Sequence, residues 1–211
     1  SNVKHLFDTF SEECNKVNEI TTIDNSMINI DDFEKVSELE NNKERMISLI
    51  VNPKTNEKYI QTYLKTMFET SEERSIFISN YNIIKRMTQH PGMMRIVSFD
   101  EHPHPTIINE YKVLFTLKEM ITINQKTISR SRVYQILYGI LRTIEFLNLH
   151  NIYIDKFETN KIYIDEYFRP RLLISFINKN KRLNEEENNE NLKVEIRSYF
   201  ELIYEILTGQ I

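Results

Sequence analysis

The stretch that decides the fold runs Met46-Ile47-Ser48-Leu49-Ile50-Val51, then Asn52-Pro53-Lys54-Thr55-Asn56-Glu57, then Tyr59-Ile60-Gln61-Thr62-Tyr63-Leu64. Two runs rich in β-branched and aromatic residues flank six residues of turn chemistry, so the stretch predicts two strands joined by a reversal. Upstream, Phe33 to Leu39 shows the same short period and predicts a strand beside them. Downstream the period lengthens. Phe77, Asn80, Tyr81, Ile84 and Met87 fall on one stripe, which predicts a helix over Thr70 to Met87 with Ser71 as its cap. His90-Pro91-Gly92 ends it, and two more strands fit Met94 to Phe99 and Thr106 to Val113, on either side of the loop His102-Pro103-His104-Pro105.

The second half reads as mostly helical. Val133, Ile136, Leu137, Ile140, Ile144 and Leu147 give Ser129 to Leu149 a wide apolar face. Three short strand-like pieces follow at Ile152 to Ile154, Lys161 to Asp165 and Arg171 to Ile174. Lys179 to Asn191 is charged and Asn-rich and reads as a loop, its Glu185 to Glu190 run being a solvated segment. Ile196 to Leu207 reads as a helix ending at Gly209 and apolar on nearly every side, so an exposed apolar patch is expected there, covered by a partner, by self-association or by further chain. At the other end, Val3, Leu6, Phe7, Phe10, Cys14 and Val17 predict an amphipathic helix over residues 3–20. Five strands with one inserted helix, followed by a helical half, predict an α+β chain of two lobes.

Composition removes several functions. The chain has 211 residues with 27 basic and 31 acidic side chains, spread rather than blocked, so no basic face marks a nucleic-acid partner. Cys14 stands alone, which excludes a disulfide framework and multi-cysteine metal sites. No apolar run approaches a membrane span and the first ten residues lack a signal-peptide layout, so the expectation is a cytoplasmic protein without a membrane partner. His102 and His104 are two imidazoles without a third ligand, and no metal site is expected. Only three glycines occur, Gly92, Gly139 and Gly209, each isolated, so no loop can wrap a phosphate with clustered backbone N–H groups. The 22 Asn, 30 Ile and absence of Ala reflect compositional bias more than function.

Several segments then carry a family likeness. Phe77 to Ile84 before His90-Pro91, Ile107-Ile108-Asn109-Glu110-Tyr111, Tyr138-Gly139-Ile140 with Phe146-Leu147 and His150-Asn151-Ile152, and Tyr204 to Gly209 together resemble the framework of the eukaryotic protein kinase domain, nearest to the tyrosine-kinase-like kinases of protists. The resemblance implies an amino-terminal extension over 1–32, an N-lobe over 33–113 with its hinge at Asn109-Glu110-Tyr111, and a partial C-lobe over 114–211. It also implies that a longer chain would continue with further helices.

Phosphoryl transfer needs a loop over the phosphates, a lysine held by a helix glutamate, metal-binding side chains and a base. By the resemblance, the glycine-loop positions hold Glu40, Asn42 and Arg45, the phosphate lysine becomes Thr62, and the partner glutamate becomes Asn80. The base position falls on Lys156, the metal-binding asparagine on Lys161, and the metal aspartate on Ile174 or, shifted by one, Ser175. An alternative register offers Lys65, Asp155 and Asn160 as lysine, base and ligand, and only that register calls for ATP and magnesium. The adenine pocket would hold Ile47 at its roof, Ile60 in place of a small alanine and Tyr163 in place of a leucine, an apolar plug rather than a slot. The expectation is a pseudokinase, a binding, scaffold or allosteric module without catalytic residues or cofactor. Its protein partner would dock through the amino-terminal helix or the exposed C-lobe surface, or the chain would self-associate. The alternative is a divergent kinase with residual transfer to Ser, Thr or Tyr.

Overall fold

The structure is a computed structural model, and it describes residues 32–65, 68–101, 104–124, 128–173 and 185–209. The helix expected over residues 3–20 lies outside them. From Asp32 onward the chain forms an α+β unit. A five-stranded antiparallel sheet comprises β1 (Glu34–Asn41), β2 (Arg45–Val51), β3 (Lys58–Leu64), β4 (Ile96–Asp100) and β5 (Thr106–Glu110) in the order β1-β2-β3-β5-β4. The quoted hairpin is in register from Arg45 opposite Leu64 to Val51 opposite Lys58. Its turn is pinned by Asn52, whose carbonyl accepts from Asn56 N–H and whose Oδ1 accepts from Lys54 N–H, with Asn56 at φ 59°.

Helix α1 (Ser71–Met87) lies between β3 and β4 in sequence and buries Phe77, Tyr81 and Ile84 against Ile96 and Ile107 of the sheet. Its cap is Thr70 rather than Ser71. Thr70 is extended at φ −129° and its hydroxyl accepts from Glu73 N–H at 3.1 Å, while Ser71 is already helical.

A second, three-stranded sheet joins β6 (Phe115–Thr116), β7 (Ile162–Ile164) and β8 (Pro170–Leu172). Helices α2 (Leu117–Asn124), α3 (Arg130–Asn148) and α4 (Glu185–Thr208) complete the unit, and their core gathers Leu117, Met120, Ile136, Ile140, Ile162 and Leu202, all nearly or fully buried. Neither β6 nor α2 was legible in the sequence pattern. Asp165 closes the β7–β8 turn: Oδ1 accepts from the backbone N–H groups of Tyr167 and Arg169, and Oδ2 takes Arg169 and Arg171. Burial pushes its carboxyl up, but these donors outweigh burial and hold it below the usual carboxylate range.

Two further expectations fail. Ile152 to Ile154 is not a strand, because Asn151 turns at φ 55°, Ile152 N–H returns to Leu147 O, and Ile154 N–H is taken by Glu195 of α4. The segment has side-chain and helix-end partners where a strand would need a neighbour. The charged tract taken as a loop to Asn191 is helical from Glu185 onward, α4 starting eleven residues before Ile196. Its exposed turns are supported by local ion pairs, Glu190 with Lys193 and Arg197 with Glu201, rather than by burial. No helix among the described residues is long and apolar enough to cross a membrane.

Candidate functional site

The two sheets meet along a backbone seam. Met94 N–H donates to Leu172 O at 2.9 Å and Leu172 N–H to Gly92 O at 2.8 Å, while Leu173 N–H to Lys161 O at 3.1 Å extends the β7–β8 ladder. Beyond this link, side chains of β2 and β3 of the first sheet pack over β7 of the second, and several of the predicted site residues meet there.

Its apolar floor and roof are continuous. Ile47 on β2, Ile60 on β3, Met94, Tyr163 on β7 and Leu173 form one buried cluster, with Leu49, Tyr111 and Val113 packed around it. Ile60 is 0% exposed and Tyr163 is 3% exposed. The Tyr111 and Tyr163 rings meet edge to face, 5.8 Å between centroids at 79°. Burial pushes the Tyr163 phenol far above its ordinary pKa, so it stays neutral at any physiological pH.

Beside this cluster lies a charged rim. Glu40 Oε2 accepts from Lys161 Nζ at 2.8 Å, Glu40 Oε1 from Arg45 Nε at 2.9 Å, and Glu158 Oε1 from Lys161 Nζ at 2.9 Å. The Glu40 and Lys161 side chains are only 20% and 18% exposed. Asn42 Nδ2 also donates to Glu40 Oε1, at 2.8 Å. Burial raises the Glu40 carboxyl, and Lys161 and Arg45 more than reverse that, so it stays ionised below the usual carboxylate range. A carboxylate from the first sheet is thus clamped by a cation from the second.

The other predicted residues are dispersed around this pair. Thr62 is buried on β3, two residues beyond Ile60 and therefore on the same face. Asn80 is buried on α1, and its Nδ2 has no partner among the described residues. Lys65 Nζ donates to Asn41 Oδ1 and Asn42 O, both at 2.5 Å, which ties the β1–β2 turn. Asp155, Lys156 and Asn160 are exposed, and no hydrogen bond or ion pair joins Lys65, Asp155 and Asn160. Asn109 Nδ2 donates to Met94 O, Glu110 pairs with Lys112, and Tyr111 is half-buried on Tyr163. Ile174, Ser175 and His102 lie outside the described residues. His104 packs on Tyr63 at 5.0 Å, and among the described residues no three His, Cys, Asp or Glu side chains gather as a cation would require.

Sequence reasoning missed three residues of α4 that hold the segment leading into this site. Glu195 is 1% exposed and accepts from Ile154 N–H at 2.7 Å and Asn148 Nδ2 at 2.8 Å. Ser198 Oγ accepts from Phe157 N–H at 2.9 Å, and Glu205 accepts from Thr159 Oγ1 at 3.0 Å. The signal was present in the spacing: Glu195, Ser198 and Glu205 are polar residues on the face of a helix that also buries Leu202.

No family model matches the chain, and no curated protein matches it. What the residues do must be argued from their geometry.

Proposed function

We propose that the chain is a pseudokinase-like module: a domain of protein kinase type whose nucleotide cleft is closed by its own side chains and whose role is binding or scaffolding in the cytoplasm. One observation carries the reading. At the positions that the sequence resemblance assigns to phosphate and adenine lie, respectively, the Glu40–Lys161 ion pair and the Ile47–Ile60–Tyr163 cluster. The Glu40 carboxylate already engages Lys161 and Arg45, so neither cation is free to hold a triphosphate, and three large side chains in a slot one ring thick leave no volume for a base. The order β1-β2-β3-β5-β4 with α1 inserted before β4 is compatible with an N-lobe of this kind.

The divergent-kinase reading has no such support. Its lysine is occupied by the β1–β2 turn, and its base and ligand sit exposed and unpaired with it. Calorimetry with ATP, with and without magnesium or manganese, separates the two. No heat of binding at millimolar nucleotide is expected, whereas micromolar, magnesium-dependent binding refutes the closed cleft and restores the kinase reading.

A further inference from the structure

Helix α4 is apolar on two opposite sides. Its inner side carries Leu202 into the core and Glu195 and Ser198 into the backbone contacts already described. Its outer side presents Leu192, Ile196, Phe200, Tyr204 and Leu207, at 38, 47, 64, 58 and 66% exposure. These residues recur at steps of four, four, four and three, a continuous ridge along the helix. At those exposures they leave roughly 600 Å² of side-chain surface in water, the upper end of the largest patch on an ordinary monomer. Exposed Leu141 and Leu149 of α3, which line a groove together with Leu192 and Ile196, extend the apolar surface, bringing it to about the 800 Å² per partner of a stable interface.

We propose that this outer face of α4 is a homodimer interface, with two copies packing α4 against α4 antiparallel about a two-fold axis at Phe200. The ridge is self-complementary in that arrangement. Pairing Phe200 with its own copy sets Ile196 opposite Tyr204 and Leu192 close to Leu207, so apolar residues meet across the centre of the contact and Lys193 lies beside Leu207 at its ends. The charges agree. Arg197 and Glu201 flank one side of the ridge, paired within the helix at 3.2 Å and exposed at 83% and 63%. The two-fold axis places each Arg197 within one helical turn of Glu201 of the second copy, so two cation–carboxylate pairs bracket the axis. Lys193 falls beside the carboxy-terminal end of the second α4, where the helix dipole favours a cation. On the opposite flank, Leu207 of the second copy faces the mouth of a groove of about 420 Å³ between α3 and α4, lined by Leu141, Leu192 and Ile196. A parallel arrangement would instead set Arg197 and Glu201 of each copy against the opposite flank of the other, where Leu192 and the groove lie.

Sedimentation equilibrium of the whole 211-residue chain tests this. The expected result is a reversible monomer–dimer equilibrium, with a limiting mass twice 25.4 kDa. Phe200→Asp is expected to weaken the dimer by at least ~30-fold, as for a central anchor. Glu201→Arg alone, at an exposed position that the fold does not need, is expected to weaken it by about tenfold, and Arg197→Glu combined with Glu201→Arg to restore it. Circular dichroism checks that each variant keeps its helix content, and the charge-swap pair decides the matter if Phe200→Asp does not fold. A chain that stays monomeric at all concentrations overturns the proposal, because another segment or partner then covers the ridge. So does a dimer insensitive to Phe200→Asp, or one that the double charge swap fails to restore. None of these outcomes bears on nucleotide binding.

Discussion

Reopening the filled cleft is the sharpest perturbation available, and its cost follows from the packing. Ile60 is fully excluded from water and touches residues from both sheets, so Ile60→Ala leaves a cavity that neither sheet can collapse into alone. For such sites the loss is ~2–5 kcal/mol, and for Ile60→Val about 0.5–1.5 kcal/mol. Tyr163→Leu gives up the edge-to-face contact with Tyr111, worth ~0.5–1.5 kcal/mol beyond its buried area. The two side chains share a cluster, so the double variant should lose less than the sum. Urea unfolding reads these values as shifts in midpoint at constant slope. In the double variant the vacated slot matches an aromatic base, so adenosine is expected to raise its midpoint and leave the parent unchanged. A loss under ~1 kcal/mol for Ile60→Ala would refute the packing argument, because a side chain that truly seals the slot cannot be removed so cheaply. Stabilisation of the parent by adenosine would refute the closure itself.

Two further outcomes test the surroundings of the cleft. In a double-mutant cycle of Glu40→Gln and Lys161→Met, a coupling of ~1 kcal/mol is expected, since the pair is more buried than an ordinary surface bridge. Because the folded Glu40 carboxyl lies below its unfolded value, this contribution is present above about pH 4.3 and fades as pH falls further toward the folded pKa; a coupling that persists undiminished at pH 2 would contradict it. At the seam, a Cβ on Gly92 would collide with Thr143 Oγ1 and sit 3.0 Å from Thr143 Cβ. Gly92→Ala should therefore cost ~1–3 kcal/mol in thermal unfolding, with Thr143→Ala recovering part of it; a neutral Gly92→Ala would show that the seam can yield.

The strands of the first sheet were legible from β-branched and aromatic runs bounded by turn residues, and α1 and α3 from the helical period of one buried face. Ile60 and Thr62 of β3 alternate with less buried neighbours, and Phe77, Tyr81 and Ile84 sit a helical turn apart. What escaped has no period. Phe115–Thr116 is two residues long, and Leu117–Asn124 is a helix of two turns whose Leu117, Met120 and Ile121 resemble any short apolar run. The charged start of α4 misled for the opposite reason: its run of Glu and Asn carries no apolar period, and the i to i+3 pair of Glu190 with Lys193 lies only at its end.

The site was legible as a set of residue types and not as a set of contacts. That Glu40 and Lys161 would serve poorly as the phosphate loop and metal ligand that the kinase resemblance assigns to them follows from their side chains alone. That they neutralise one another across the two sheets needs the fold, because 121 positions separate them. Ile152-Tyr153-Ile154 shows the same limit from the other side. Its alternation is strand-like, yet Glu195 and Ser198 take the backbone N–H groups of Ile154 and Phe157, and Glu205 takes Thr159. These three α4 residues lie on the side of the helix away from Phe200, so a second copy could occupy the outer ridge without displacing any of them. From Thr159 the polar contacts continue at once through Glu158 and Lys161 to Glu40. The helix that offers an apolar ridge to the outside therefore also fixes, on its inner side, the segment that keeps the cleft's cation in place.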